Sequence, residues 1–416
     1  MDADPEKSKT FADRIRVLFV AEVVTLAHAG RPVVLARQLD AARFDIQLAW
    51  DPRYSTLFPN LPWPVHAIPS ISSARFLEAL ANGKPVFDAA TLRGYVEADL
   101  ALLDAVRPDV VIGDFRLSLA ISARRARVPY LTITNAYWSP IVEQSFPVPD
   151  IPLTRWLPLG VAQLGFDRVR EFVFRQHAAP LNRICREFGV PAPGSDLRRV
   201  YTDADATLYA DFAELYPSAR IGPGHHFLGP VLWEPDLALP HWWHELDERP
   251  AIFVTVGSSG DASLLPHIVG ELATLNAQII VATAGRLRLM DLPADVHVAD
   301  FIPAQIACRR ARLVVCNGGS PMTQQALSAG VPVLGICSNM DQLLNMNAVA
   351  AAGVGIRLRA ARLRPGEVSA SARQLLGDRT WASRAAAYAS YGASYRSGTL
   401  CAEAIEKVPG LFSGRK

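Results

Sequence analysis

Two stretches far apart in the chain carry side chains suited to a single reaction. In the first half, His28 follows an apolar run ending at Val24, and Asp114 closes the run Val110-Val111-Ile112-Gly113. A histidine titrating near neutrality takes a proton from a hydroxyl, and an aspartate on its other ring nitrogen fixes the tautomer and stabilises the imidazolium that forms. Alone, His28 would read as a polar loop residue; a carboxylate at the end of a neighbouring strand favours a catalytic pair. In the second half, Asn317-Gly318-Gly319-Ser320-Pro321 follows the apolar run Leu313–Cys316, and Asp341-Gln342 comes one strand later. The glycines let the chain turn off a strand and let a ligand approach the backbone. Ser320 suits a helix N-cap and Pro321 a first helical position. The amides of Gly318, Gly319 and Ser320 would then face an anion at the positive end of a helix. An acid and an amide side by side suit a polyol. Phosphate and polyol together describe a nucleotide-activated sugar.

Two further clusters belong with these. Gly257-Ser258-Ser259-Gly260 is a second glycine and hydroxyl turn directly after a strand run, and ligands of open α/β sheets collect at such strand ends. Asn135-Ala136-Tyr137-Trp138 follows another strand run, so Tyr137 and Trp138 would bracket an apolar or aromatic acceptor or fill an interdomain seam.

The elements that must position these residues are legible as alternation. Arg16–Ala21, Phe44–Trp50, Val110–Gly113 and Pro129–Ile133 read as strands separated by helical stretches, including Val33–Leu39 and 117–127. The pattern restarts at 251–257, 279–282, 313–316 and 331–335. Strands alternating with helices indicate parallel, doubly wound sheets. The expected architecture is α/β, with two Rossmann-like domains facing a cleft. Residues 1–230 form the first, with a helical insertion at about 141–190. A linker rich in proline and tryptophan spans 231–250, a second domain 251–385 and a helical tail 386–416. At 416 residues the chain is long for one core.

Composition narrows the class. A net charge of +2 gives no field for nucleic acid. The five cysteines are scattered, which suits a reducing compartment and argues against structural zinc. The polar start does not read as a signal peptide, and no apolar run approaches a membrane span. A cytoplasmic location is expected. The segment 147–187 mixes bulky apolar and basic residues; it reads as packed helical insertion or, alternatively, as a surface for peripheral membrane contact.

Residues 296–347 resemble the donor-binding signature of the inverting, metal-independent GT-B glycosyltransferases, the superfamily of the UDP-glucuronosyl, macrolide and plant secondary-product transferases. The matching residues are Gly318-Gly319, Thr323, Ala326-Leu327, Gly330-Val331-Pro332 and Asp341-Gln342-Leu343-Leu344-Asn345. The resemblance implies that Asp341 and Gln342 hold sugar hydroxyls and that Asn345 and Ser258 help at the phosphates. It places Phe301 against the nucleobase and Gln325, where the family has glutamate, at the ribose. His28 and Asp114 fall on the family's catalytic dyad. Asn317 stands where the family has a histidine at the diphosphate, and Pro321-Met322 replaces a Gly-Thr pair. An amide donates a hydrogen bond but carries no charge. The implied reaction moves a hexose from a UDP- or TDP-sugar, UDP-glucose foremost, to a hydroxyl of a lipophilic small molecule or lipid. No cofactor and no metal are called for. Two other readings stay open: a nucleotide-sugar epimerase on the same architecture, and a catalytically silent homologue serving as a partner subunit.

Overall fold

The computed structural model describes residues 14–151, 156–257 and 260–409. The first half builds a seven-stranded sheet from β1 (Ile15–Ala21), β2 (Phe44–Trp50), β3 (Val65–Ala67), β4 (Val110–Asp114), β5 (Tyr130–Thr134), β6 (Ala206–Tyr209) and β7 (His225–Phe227). Its order is β3-β2-β1-β4-β5-β6-β7, and every pairing is parallel. The second half builds a six-stranded sheet from β8 (Ala251–Thr255), β9 (Gln278–Ala282), β10 (Val296–Ala299), β11 (Ala311–Cys316), β12 (Val333–Cys337) and β13 (Gly355–Arg359). Its order, β10-β9-β8-β11-β12-β13, repeats the winding of the first, again all parallel. Central strands such as β4 and β8 are buried along their whole length, which is why they read as unbroken apolar runs.

In each sheet the winding reverses between two central strands, β1 and β4 in the first, β8 and β11 in the second. Ala21 pairs with Asp114, and Thr255 with Cys316, so the loops leaving these strands emerge side by side. Crevices at such reversals are where open α/β sheets bind ligands.

One expectation changes here. The stretch around His28 is not a loop: a helix spans Leu26–Gln38 with Thr25 at its N-cap, beginning well before the predicted Val33 and tolerating Pro32 inside. Gly30 on that helix is required by packing, since a Cβ there would lie 2.6 Å from the Trp233 ring. The 29-residue helix Leu159–Glu187 fills the region between β5 and β6. The final helix, Ser397–Lys407, returns to the first sheet: Cys401 and Ile405 are buried with Val17 and Phe19 of β1.

A buried polar network fixes the loops after β1 and β4. Arg116, fully buried, donates to Glu22 at 2.8 Å and to Asp99 at 2.9 Å, and its guanidinium sits 3.7 Å from the centre of the Tyr95 ring. Glu22 also accepts from Tyr95 and the Ile71 amide, while Ser118 donates to Asp99 at 2.5 Å. Burial pushes the Glu22 carboxyl above its ordinary range, opposed by Arg116. Breaking such a cluster from the cationic side strands two carboxylates without their counterion. Arg116→Met is therefore expected to lower the unfolding free energy by about 3–5 kcal/mol. Urea titration checks this, and a loss under 1 kcal/mol would show that the network contributes little.

Candidate active site

His28 and Asp114 meet at the first reversal point. The His28 Nδ1 lies 2.7 Å from Asp114 Oδ1, and Asp114 is wholly buried. Arg31, one helical turn beyond His28, was not foreseen. It grips the same carboxylate with both arms of its fork, Nε to Oδ2 at 2.8 Å and Nη2 to Oδ1 at 2.6 Å. A carboxylate so held accepts N–H groups only, so the imidazole presents Nδ1–H to it and leaves Nε2 with its lone pair. Arg31 Nη2 also lies 3.0 Å from His28 Nδ1; with a proton on that nitrogen the two groups share the Asp114 oxygen rather than bond each other.

Phe115 follows Asp114 with φ of 57°, the left-handed region that costs a non-glycine residue of order 1–3 kcal/mol. The turn lays its ring on the imidazole, centroids 4.9 Å apart and planes 13° from parallel. Tyr201 stacks on Phe115 at 5.9 Å, and Trp138 packs on Tyr201 at 5.1 Å. An aromatic wall thus runs away from the His28 imidazole.

This wall opens on a cavity of about 320 Å³ lined by both sheets' loops. Of the residues singled out in the sequence, His28, Asp114, Asn135, Tyr137, Trp138, Asn317, Gly319, Ser320, Gln325, Asp341 and Gln342 line it. Asp341 is fixed by the Trp138 indole, which donates to Oδ1 at 2.8 Å, and burial raises its carboxyl above the usual range. Gln342 spends its oxygen on the Ser338 amide and hydroxyl, while its buried Nε2 has no partner among the described residues. Gln325 donates to the Trp233 carbonyl and leaves Oε1 unpartnered in the same way.

Several assignments move. Ser320 is not the N-cap: Gly319 takes that position and Ser320 begins the helix Ser320–Ser328. The Ser320 hydroxyl accepts instead from Asn135 Nδ2 at 2.9 Å. Two of the three amides expected at an anion are used within the turn, Gly318 N–H toward Cys316 Sγ and Gly319 N–H toward Asn317 Oδ1. Pro321 has no N–H, which leaves those of Ser320 and Met322 at the helix start. Gly318 remains a glycine of necessity, with φ of 78° and a would-be Cβ 2.7 Å from both Cys337 and Met346. Thr323 and Asn345 face inward: Asn345 Nδ2 donates to the Gly318 carbonyl and to the Thr323 hydroxyl, bracing the loop from behind. Asn135 is likewise a brace, accepting from Arg31 and donating to Asp211 and Ser320. Phe301 is exposed and lies beside Gly285, outside the cavity lining. Ser258 lies outside the described residues. Among the described residues, no group of three or more His, Cys, Asp or Glu side chains is arranged to hold a metal ion.

A glycosyltransferase of PGL/p-HBAD biosynthesis from Mycobacterium tuberculosis (strain ATCC 25177 / H37Ra) is 47% identical over 366 residues, 88% of this chain and 86% of its own. The chain belongs to the GT-B glycosyltransferases. A PGL/p-HBAD biosynthesis rhamnosyltransferase from Mycobacterium bovis (strain BCG / Pasteur 1173P2) is 46% identical over 366 residues, 88% of this chain and 81% of its own. The family described as Erythromycin biosynthesis protein CIII-like, C-terminal domain, matches residues 266–407 of this glycosyltransferase. Among solved structures, Spinosyn Rhamnosyltransferase SpnG superposes with a TM-score of 0.70 at 20% identity, covering 94% of this chain and all of its own. That likeness shows the fold; SpnG has also been solved with spinosyn aglycone and with thymidine diphosphate.

Asp211 links the two halves of the site. It accepts from Asn135, the Ala136 amide and, across the cleft, Gln324 Nε2 at 2.9 Å. Burial pushes its carboxyl up to about 6 from 3.8. Native protein then binds this proton from pH of about 6 downward, unfolded protein only near 3.8, so this residue's contribution to stability falls as pH rises between those values. The difference corresponds to about 3 kcal/mol. Asp211→Asn is expected to flatten that part of the pH–stability curve, read by urea titration from pH 4 to 7 beside the parent protein; an unchanged slope would contradict it.

Proposed function

We propose that this glycosyltransferase moves a hexose from a UDP- or TDP-linked donor to a hydroxyl of a lipophilic aromatic acceptor, with inversion at the anomeric carbon. The observation that carries the reading is the His28–Asp114 contact at 2.7 Å on a cavity that also holds Asp341 and Gln342. His28 Nε2 takes the acceptor's proton as its oxygen attacks the anomeric carbon, and Asp114 holds the imidazolium. Asp341 accepts and Gln342 Nε2 donates to sugar hydroxyls. The departing diphosphate is met by the Ser320 and Met322 amides, the helix dipole and the Asn317 side chain. The reading needs no group beyond the two substrates.

The wall of Phe115, Tyr201 and Trp138 supports an aromatic acceptor such as a phenol, whose ring would stack beside the base. The donor loop supports a deoxyhexose over UDP-glucose. Asn317 and Pro321 remove a possible cation and an amide from the diphosphate seat. A sugar lacking one electron-withdrawing hydroxyl develops positive charge more readily and asks less of its leaving group. The relatives named as a rhamnosyltransferase and the thymidine diphosphate complex of SpnG agree with a TDP-linked deoxy donor.

Incubation with UDP- and TDP-hexoses, 6-deoxy sugars included, with and without phenols and lipid alcohols, tests this. A β-linked product from an α-linked donor is expected, or its mirror relation for an L-sugar, and epimerised donor or binding without turnover across the panel would overturn the reading. His28→Ala should lower kcat by about 10²–10⁴-fold. Arg31→Met, which leaves the Asp114 carboxylate without its fork, should lower kcat by at least tenfold while KM for the donor changes little; a KM effect alone would place Arg31 in binding instead.

A further inference from the structure

Among the described residues thirteen large apolar side chains are exposed, and seven of them fall within residues 156–172. Trp156 is 89% exposed, Phe172 59%, and Val161 and Leu164 57% each. They lie at and along the start of the helix Leu159–Glu187, whose opposite face is buried through Phe166, Phe174 and Leu181. At 100° per residue, Val161, Leu164, Arg168, Phe172 and Arg175 share one outward face, and Arg183 and Arg186 continue it. All four of these arginines are exposed. The outward face is thus apolar at its N-terminal end and cationic beyond.

We propose that this face docks the protein peripherally on an anionic lipid bilayer. Scattered exposed apolar residues are ordinary, but a contiguous cluster led by a tryptophan is not. Trp156 and Phe172 would enter the headgroup–acyl boundary, and the arginines along the same face complement acidic headgroups. No helix among the described residues is long and apolar enough to cross a membrane, so the contact is a surface one. The charge complementarity selects a bilayer over a second copy of the chain, whose own arginines would meet these. The inner face leads to the cavity through two ring contacts, Phe174 on Phe146 at 5.1 Å and Phe146 on Trp138 at 6.3 Å. The docked face therefore lies close to the acceptor wall.

The proposal stands apart from the sugar-transfer reading, because its test uses no substrate. The full chain is sedimented with vesicles of phosphatidylcholine alone and with 30% (roughly, a standard anionic loading) phosphatidylglycerol. Binding to the anionic vesicles and its loss in high salt are expected. Each of Arg168→Glu and Arg175→Glu should weaken partitioning by roughly fivefold or more, and Trp156→Ser with Phe172→Ser should abolish it. These residues lie outside the cavity, so turnover of a water-soluble acceptor, or the thermal unfolding profile, should match the parent and shows that the variants fold. Equal pelleting of parent and variants, no binding to anionic vesicles, or a dimer in solution that the same substitutions dissolve would each overturn it.

Discussion

A buried carboxylate must be paired, and in this molecule that requirement falls on Asp114. It sits at the end of a central strand with no exposure, where an unpaired charge would cost several kcal/mol. Its partners come from one helix: Arg31 supplies two bonds and His28 one. The two side chains are three residues apart, so they lie on the same face. Satisfying the charge therefore fixes the rotation of the helix and, with it, the direction of the imidazole. The imidazole is held by the same interaction that makes burial of its partner tolerable.

The second constraint is the way the two sheets face each other. Each reversal point delivers its loops to the same cavity, and the links across it are polar: Asn135 to Ser320, Trp138 to Asp341, Gln324 to Asp211. Polar links of this kind are directional, so they set the register of one half on the other beside a buried apolar cluster that runs through both. All three use a side chain that also lines the cavity from the far half. A change in how the halves meet is thereby felt at Ser320 and Asp341, where the donor would lie.

What could be read from the sequence follows from burial. Strands covered on both faces show as apolar runs, and β1, β2, β4, β5, β8, β9, β11 and β12 were all visible. The missed strands are short, and β3, β7, β10 and β13 lie at sheet edges, carrying residues such as His66, His225, His297 and Arg357. His28 and Asp114 were legible because strand ends at a winding reversal converge. Arg31 was not, since an arginine on a helix normally reads as a solvated charge. The left-handed turn at Phe115 had no signal, because such positions are expected to carry glycine. Thr323 and Asn345 were placed at the ligand through resemblance; the Gly318 carbonyl, buried in a tight turn, needed a donor and took Asn345 instead.

The hydrogen bonding around the cavity is left unfinished at three of its amides. Arg116, Asp99 and Glu22 are buried as deeply as any residue here, and each is met by several partners. Around the cavity, Gln324, Gln325 and Gln342 each make one set of bonds within the protein and leave one buried atom without a partner among the described residues. Keeping such atoms unmet costs about 1–3 kcal/mol apiece, and the three share one cavity. Their protein bonds hold each amide rigid, so the unmet atom keeps a fixed direction. A ligand bearing both hydroxyl donors and acceptors recovers that cost on binding, and one lacking them does not. The fold thus leaves polar atoms unsatisfied at the cavity, held in place by the bonds it does make.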